Sequence, residues 1–165
     1  MSSTGAMLGG GPQAWGWAGN LPVPGDYDGD HKADIAVYDP PSGNWYVRQS
    51  TTGTTMGGGA INWGARLAMP VPSDYDGDGK TDIAVFRPSN VTFYVRFSNG
   101  GSTAIAWGLS TDEPVPADYD GDGRADIGIF RPSDGNWWIN RSTAGTLVQQ
   151  FGTSEDRPIP GAFVY

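Results

Sequence analysis

The stretch Asp74-Tyr75-Asp76-Gly77-Asp78-Gly79-Lys80-Thr81-Asp82-Ile83-Ala84-Val85-Phe86-Arg87-Pro88-Ser89 has two counterparts in this chain, beginning at Asp26 and at Asp118. Each copy is an acidic loop that runs into a short apolar segment: Ile35-Ala36-Val37-Tyr38, Ile83-Ala84-Val85-Phe86 or Ile127-Gly128-Ile129-Phe130. Ahead of the loops stand Pro22-Val23-Pro24, Pro70-Val71-Pro72 and Pro114-Val115-Pro116, with a fourth such triplet, Pro158-Ile159-Pro160, that leads into no acidic loop. Trp15-Gly16, Trp63-Gly64, Trp107-Gly108 and Phe151-Gly152 mark the same register at spacings of 48, 44 and 44 residues. Self-similarity at such a period is the signature of a repeat architecture.

Each unit reads as four short strands: the Pro-Val-Pro segment, the Ile-Ala-Val segment, an aromatic segment (Trp45-Tyr46-Val47-Arg48, Phe93-Tyr94-Val95-Arg96 or Trp137-Trp138-Ile139-Asn140), and the segment that ends at Trp-Gly or Phe-Gly. Prolines in the first segment restrict its pairing to part of its length. In the second, Ile35 and Val37 fall on one face and Ala36 and Tyr38 on the other, the pattern of a strand buried on both sides. Four strands in about 45 residues is the size of a propeller blade. The expected class is therefore all-β, with three complete four-stranded repeats of the β-propeller type at 15–62, 63–106 and 107–150. Residues 1–14 read as the last strand of a preceding partial repeat, and 151–165 as the first strand of a terminal one. A flat stacked solenoid is the competing architecture.

In each loop, aspartates occupy positions 1, 3, 5 and 9: Asp26, Asp28, Asp30 and Asp34; Asp74, Asp76, Asp78 and Asp82; Asp118, Asp120, Asp122 and Asp126. Position 7 offers the backbone carbonyl of Lys32, Lys80 or Arg124. This is the ligand order of an EF-hand loop through its ninth position, and an all-oxygen set of this kind suits Ca²⁺. Position 12, however, is Val37, Val85 or Ile129 in place of a bidentate glutamate, so the ninth aspartate must close the site and a strand follows instead of a helix. Three Ca²⁺ sites are expected. An ion-free Asp-Gly turn is the plain alternative, but it predicts drift in the spacing, and none is seen. Gly79 and Gly123 supply the sharp turn at position 6, where the first loop has His31.

The run Asp-Tyr-Asp-Gly-Asp-Gly-Lys-x-Asp-Ile-Ala-Val-Phe-Arg-Pro-Ser, preceded by Trp-Gly and Pro-Val-Pro, resembles the FG-GAP or VCBS repeats of integrin-like β-propellers. The resemblance extends from about Thr4 to Tyr165. It implies a bladed β fold with Ca²⁺ in the hairpin loops, a secreted or cell-surface location, and work in adhesion or lectin-like carbohydrate binding. Three units are fewer than the roughly four to eight blades with which propellers close. Two chains joined head to tail, as a homodimer, would complete a six-bladed ring.

Composition narrows the function further. The net charge of −8 comes largely from the loops, and there is no basic stripe for nucleic acid. No apolar run is long enough to insert in a membrane, and the absence of cysteine excludes disulfides. His31 is the single histidine, no nucleophile elbow or phosphate-cradling loop is present, and the clustered carboxylates are all placed for metal; a binding protein is expected, not an enzyme. Trp45, Tyr46, Tyr94, Trp137 and Trp138 are candidate sugar-stacking residues, although strand alternation would also have one of each adjacent pair pack between blades. Arg48, Arg87, Arg96 and Arg131 could grip a sugar or a carboxylate, or else pair with nearby acids or cap strand edges. The expected role is a calcium-binding module for carbohydrate or cell-surface recognition, with a purely structural, calcium-stabilised spacer as the alternative.

Overall fold

A computed structural model describes residues 15–159. Three four-stranded antiparallel sheets follow one another along the chain, and each is a simple meander in which sequence neighbours pair. The first blade comprises β1 (Leu21–Pro22), β2 (Ile35–Asp39), β3 (Asn44–Arg48) and β4 (Ile61–Asn62). The second holds β5 (Met69–Pro70), β6 (Ile83–Arg87), β7 (Thr92–Arg96) and β8 (Ser102–Ala106). The third holds β9 (Glu113–Pro114), β10 (Ile127–Arg131), β11 (Asn136–Arg141) and β12 (Gly145–Gln150). The expected strand within residues 1–14 lies outside the described residues, as does the C-terminal one beyond Ile159.

Proline limits the first strand of every blade to two residues. The valine between the prolines carries the one amide left in the triplet, and it is used: Val23, Val71 and Val115 donate to the carbonyls of Ala36, Ala84 and Gly128 at 2.8–3.0 Å. The repeat spacing of 48 against 44 also has a visible cause. The longer first unit carries its extra residues between β3 and β4, where Met56–Gly58 form a single 3-10 turn.

The core lies between the blades. One face of the first blade (Ala36, Tyr38, Trp45, Val47) packs on Ile83 and Val85 of the second, whose other face (Ala84, Phe86, Phe93, Val95) packs on Ile127 and Ile129 of the third. Full burial of each such large side chain contributes roughly 1.5–3 kcal/mol. An indole clasp recurs at each blade: Trp15, Trp63 and Trp107 Nε1–H donate to the carbonyls of Tyr46, Tyr94 and Trp138 at 3.3, 3.1 and 3.0 Å. Phe151, next in the series, has no such donor and is 76% exposed. At the opposite end, Ile35 is 49% exposed where its equivalents Ile83 and Ile127 are 4% exposed, because no described blade packs against it.

One buried ion pair is specific to the third blade. Arg131 Nε and Nη2 grip both oxygens of Asp112, at 3.0 and 2.9 Å, and the guanidinium lies over the Trp138 ring. In the second blade the equivalent Arg87 lies over Tyr94, but Ala68 stands where Asp112 would be, and the Arg87 Nε is buried with no hydrogen-bond partner among the described residues. Asp112→Ala should therefore cost about 3–5 kcal/mol in urea denaturation, the cost of removing one partner from a buried, hydrogen-bonded ion pair. Ala68→Asp should recover part of that energy in the second blade and raise the midpoint of the native chain. A midpoint unmoved by Asp112→Ala would show that the pair is energetically neutral.

Candidate metal centres

Each acidic loop connects the first strand of a blade to the second, and its shape is set by its own first aspartate. Asp26 accepts the amides of Gly29, Asp30 and His31 at 2.6–3.1 Å. Asp74 accepts those of Gly77 and Gly79, and Asp118 those of Gly121, Asp122 and Gly123. The fifth-position aspartate accepts the amide two residues on, from Lys32, Lys80 or Arg124. Closure comes from position 9: one oxygen of Asp34, Asp82 or Asp126 accepts the amide of Tyr27, Tyr75 or Tyr119 at 2.9 Å. The other oxygen accepts the amide of Ser50, Ser98 or Ser142, just past the third strand, at 2.7–2.8 Å. These three carboxylates are at most 1% exposed.

The geometry brings carboxylate oxygens of Asp26, Asp28 and Asp34 within 4.8 Å of one another, and likewise those of Asp74, Asp76 and Asp78 and of Asp118, Asp120 and Asp122. Asp30, Asp82 and Asp126, expected in the ligand sets, fall outside these groups, and both oxygens of Asp82 and of Asp126 accept the backbone amides named above. Oδ1 of Asp28 and of Asp120 is buried and, among the described residues, has no hydrogen-bond partner. An orphaned, buried carboxylate oxygen facing other carboxylates is the feature a cation would satisfy. Asp120 is nevertheless held below the usual carboxylate range, first by the Thr143 hydroxyl and then by the Thr143 and Ala144 amides, so its charge persists. The carbonyls of Lys32, Lys80 and Arg124 complete the candidate set at position 7, by the sequence order of the loop.

Several participants carry no signal in the loop motif. The turn after the third strand folds back over the acids: Ser50, Ser98 and Ser142 hydroxyls donate to Asp30, Asp78 and Asp122, while Thr51, Asn99 and Thr143 donate to Asp28, Asp76 and Asp120. Their recurrence in the same register as the aspartates was the available clue. The tyrosine at position 2 is part of the motif, and its role emerges only in the fold: Tyr27, Tyr75 and Tyr119 hydroxyls donate to the Val23, Val71 and Val115 carbonyls at 2.8 Å, tying each loop to its proline strand. Burial, reinforced by the adjacent Asp126, pushes the Tyr119 hydroxyl up to about 12, so it remains a donor.

The aromatic candidates divide. Trp45 is fully buried between blades and donates its indole N–H to the Trp63 carbonyl, so no ligand reaches its face. Tyr46, Tyr94, Trp137 and Trp138 are half-buried. Tyr46 meets Trp17 edge-on at 5.0 Å, and Trp17, which the motif does not single out, is 54% exposed.

Two outcomes follow from the loop geometry. His31 has φ 64°, against 82° and 87° at Gly79 and Gly123, so the first loop holds a side chain in the left-handed region at a cost of about 1–2 kcal/mol. His31→Gly should stabilise the protein by about 1 kcal/mol and tighten the first loop, and an unchanged melting temperature would refute the strain. Burial, partly offset by the Ser98 and Tyr75 amides, raises Asp82 from 3.8 to about 6. Its folded value exceeds the unfolded one, so in metal-free protein its contribution to stability is complete below pH 3.8 and is lost as pH rises through about 6. Carboxyl-carbon NMR in EDTA should show Asp82 titrating near 6 and Asp120 below 3.8. The reverse order would contradict this reading.

A family model for the FG-GAP-like repeat matches residues 26–85 and 74–129, spanning both the first two and the last two acidic loops. No curated protein and no solved structure matches the chain. The match covers more than half of the sequence and rests on the loops and strands described above, and the chain belongs to the FG-GAP-like repeat family.

Proposed function

We propose that this chain is a calcium-stabilised β-propeller-type module that recognises carbohydrate or a cell surface and acts by binding, outside the cell. The observation that carries the calcium reading is the orphaned Oδ1 of Asp28 and Asp120, each buried among carboxylates in loops of the same build. No group among the described residues satisfies these oxygens, and a hard cation with oxygen ligands does. Asp28, Asp120 and the carboxylates around them would hold the ion, which supplies the positive charge that lets four acids share one hairpin. Among the described residues no helix is long and apolar enough to cross a membrane.

Recognition is supported by two surfaces. Between the first and second acidic loops lies a groove of about 470 Å³ whose lining includes Pro24, His31, Lys32, Pro72 and Lys80. It pairs donors with apolar walls, which suits a hydroxyl-rich ligand. The exposed Trp17 ring against Tyr46 offers an aromatic face of the kind sugars stack on. The structural-spacer reading is favoured by Trp45, which is committed to the core, and by Arg131, which is committed to Asp112.

Calcium in the loops should raise the melting temperature, since a ligand bound by the native state alone adds about 4 kcal/mol at a thousandfold excess over its Kd. Coincident melting curves in EDTA and in millimolar Ca²⁺ would refute the metal reading. A glycan array probed with the calcium-loaded chain separates recognition from spacing: selective hits that free sugar competes away and that Trp17→Ala or Tyr46→Ala weakens support recognition, and a blank array supports the spacer.

A further inference from the structure

The acidic loops of neighbouring blades touch one another. Thr81 N–H donates to the Asp26 carbonyl at 2.6 Å, and Ala125 N–H donates to the Asp74 carbonyl at 2.6 Å. In both junctions position 8 of one loop is bonded to position 1 of the loop before it. Position 7 reaches across as well. The Lys80 stem lies over Gly29, where an added Cβ would sit 2.8 Å from Cε, and the Arg124 stem lies over Gly77, where the corresponding distance to Cγ is 3.0 Å. Lys32, with no acidic loop before it among the described residues, turns instead to Asp30 of its own loop at 3.1 Å.

A third contact shows that the spacing of the junction is maintained by complementary sizes. At the first junction Gly25 faces Thr81, and a Cβ at 25 would lie 2.7 Å from the Thr81 Oγ1. At the second junction the same two positions are Ser73 and Ala125. The larger residue has moved from one side of the contact to the other.

The peptide group between Lys80 and Thr81 therefore has two engagements. Its N–H is bonded to Asp26 of the first loop, and its C=O is the position-7 oxygen of the second. The Arg124–Ala125 peptide stands in the same relation to the second and third loops. A peptide group is rigid and planar, so fixing its carbonyl also fixes its amide. A cation drawn to the carbonyl also polarises the N–H and strengthens the bond it donates.

We propose that these shared peptides couple the three loops in series, so that a divalent cation in one loop raises the affinity of the next, with the second loop, bonded to both others, as the hub. The proposal rests on the calcium reading above, for which the orphaned Asp28 and Asp120 oxygens are the support.

The test is a Ca²⁺ titration of the full chain followed by ¹H–¹⁵N NMR, with the amides of Gly29, Gly77 and Gly121, each bonded to the first aspartate of its own loop, as separate reporters. Asp120→Asn, which weakens the third loop, should lower the affinity reported by Gly77 about tenfold, within the usual range of coupling between sites, and that reported by Gly29 less. Gly25→Ser crowds the first junction without altering a ligand and should weaken the first two loops together. Adding Thr81→Ala, which recreates the Ser–Ala pair of the second junction, should restore them. If Gly25→Ser fails to fold, the Asp120→Asn titration decides by itself. Loops one and two that titrate with constants unchanged by Asp120→Asn, in a protein that does bind calcium, overturn the coupling alone. Glycine amides that never respond to Ca²⁺ overturn the metal reading and the coupling with it.

Discussion

Every blade depends on one buried carboxylate, that of Asp34, Asp82 or Asp126. Each sits at the start of a blade's second strand and uses its two oxygens on two different segments, the tyrosine amide of its own loop and the serine amide after the third strand. That pins the loop, the second strand and the far end of the third strand at a single point. Strand register follows from it, because a slip of one residue would carry every apolar side chain to the wrong face. Blades with two-residue first strands have little pairing of their own to hold them in line.

The same carboxylate explains why the loops are acidic beyond what backbone capping requires. Burying a charge is unfavourable, and two amide hydrogen bonds offset only part of the cost, as the upward shift of Asp82 to about 6 shows. Further aspartates close by make matters worse for an isolated protein: Asp76 and Asp74 both push Asp82 in that direction. Serine, threonine and asparagine donors from the opposite turn relieve some of the repulsion, yet they leave Asp28 and Asp120 with an unsatisfied oxygen. Acids gathered in a hairpin whose hydrogen bonds leave carboxylate oxygens unsatisfied are the arrangement that the proposed cation would neutralise.

Much of this was legible in the sequence. The repeat spacing, the four strands and the strand that follows position 9 are local patterns, and His31 in a glycine position foretold its positive φ. The covering turn was not, because Ser50 and Thr51 are ordinary turn residues and only the fold brings them over Asp30 and Asp28, some twenty residues away. Trp45 and Tyr46 look alike to any composition rule. Alternation sends one inward, but which one depends on pairing: Trp45 lies opposite Tyr38, on the face that meets the second blade. Arg131 reads from sequence as an arginine that could pair with an acid, but its partner Asp112 does not, because the corresponding positions hold Asn20 with Asp39 and Ala68 with Arg87, so no repeated pair exists to be seen.

Agreement and disagreement among the three copies therefore carry different information. Positions that agree, such as the ninth-position aspartate, the second-position tyrosine and the serine past the third strand, serve the blade itself, and each has the same bonds in all three. Positions that differ serve one junction or one surface. Gly25 with Thr81 against Ser73 with Ala125 is a difference that keeps a spacing. Trp17 is a difference of another kind: its equivalents are Ala65 and Leu109, it packs edge-on against Tyr46, and more than half of it remains exposed. Exposing an indole is unfavourable unless something covers it, and the blade-to-blade core does not use it. A ligand that distinguishes one blade of this array from the others must read residues of that second kind, because the first kind are the same in every blade.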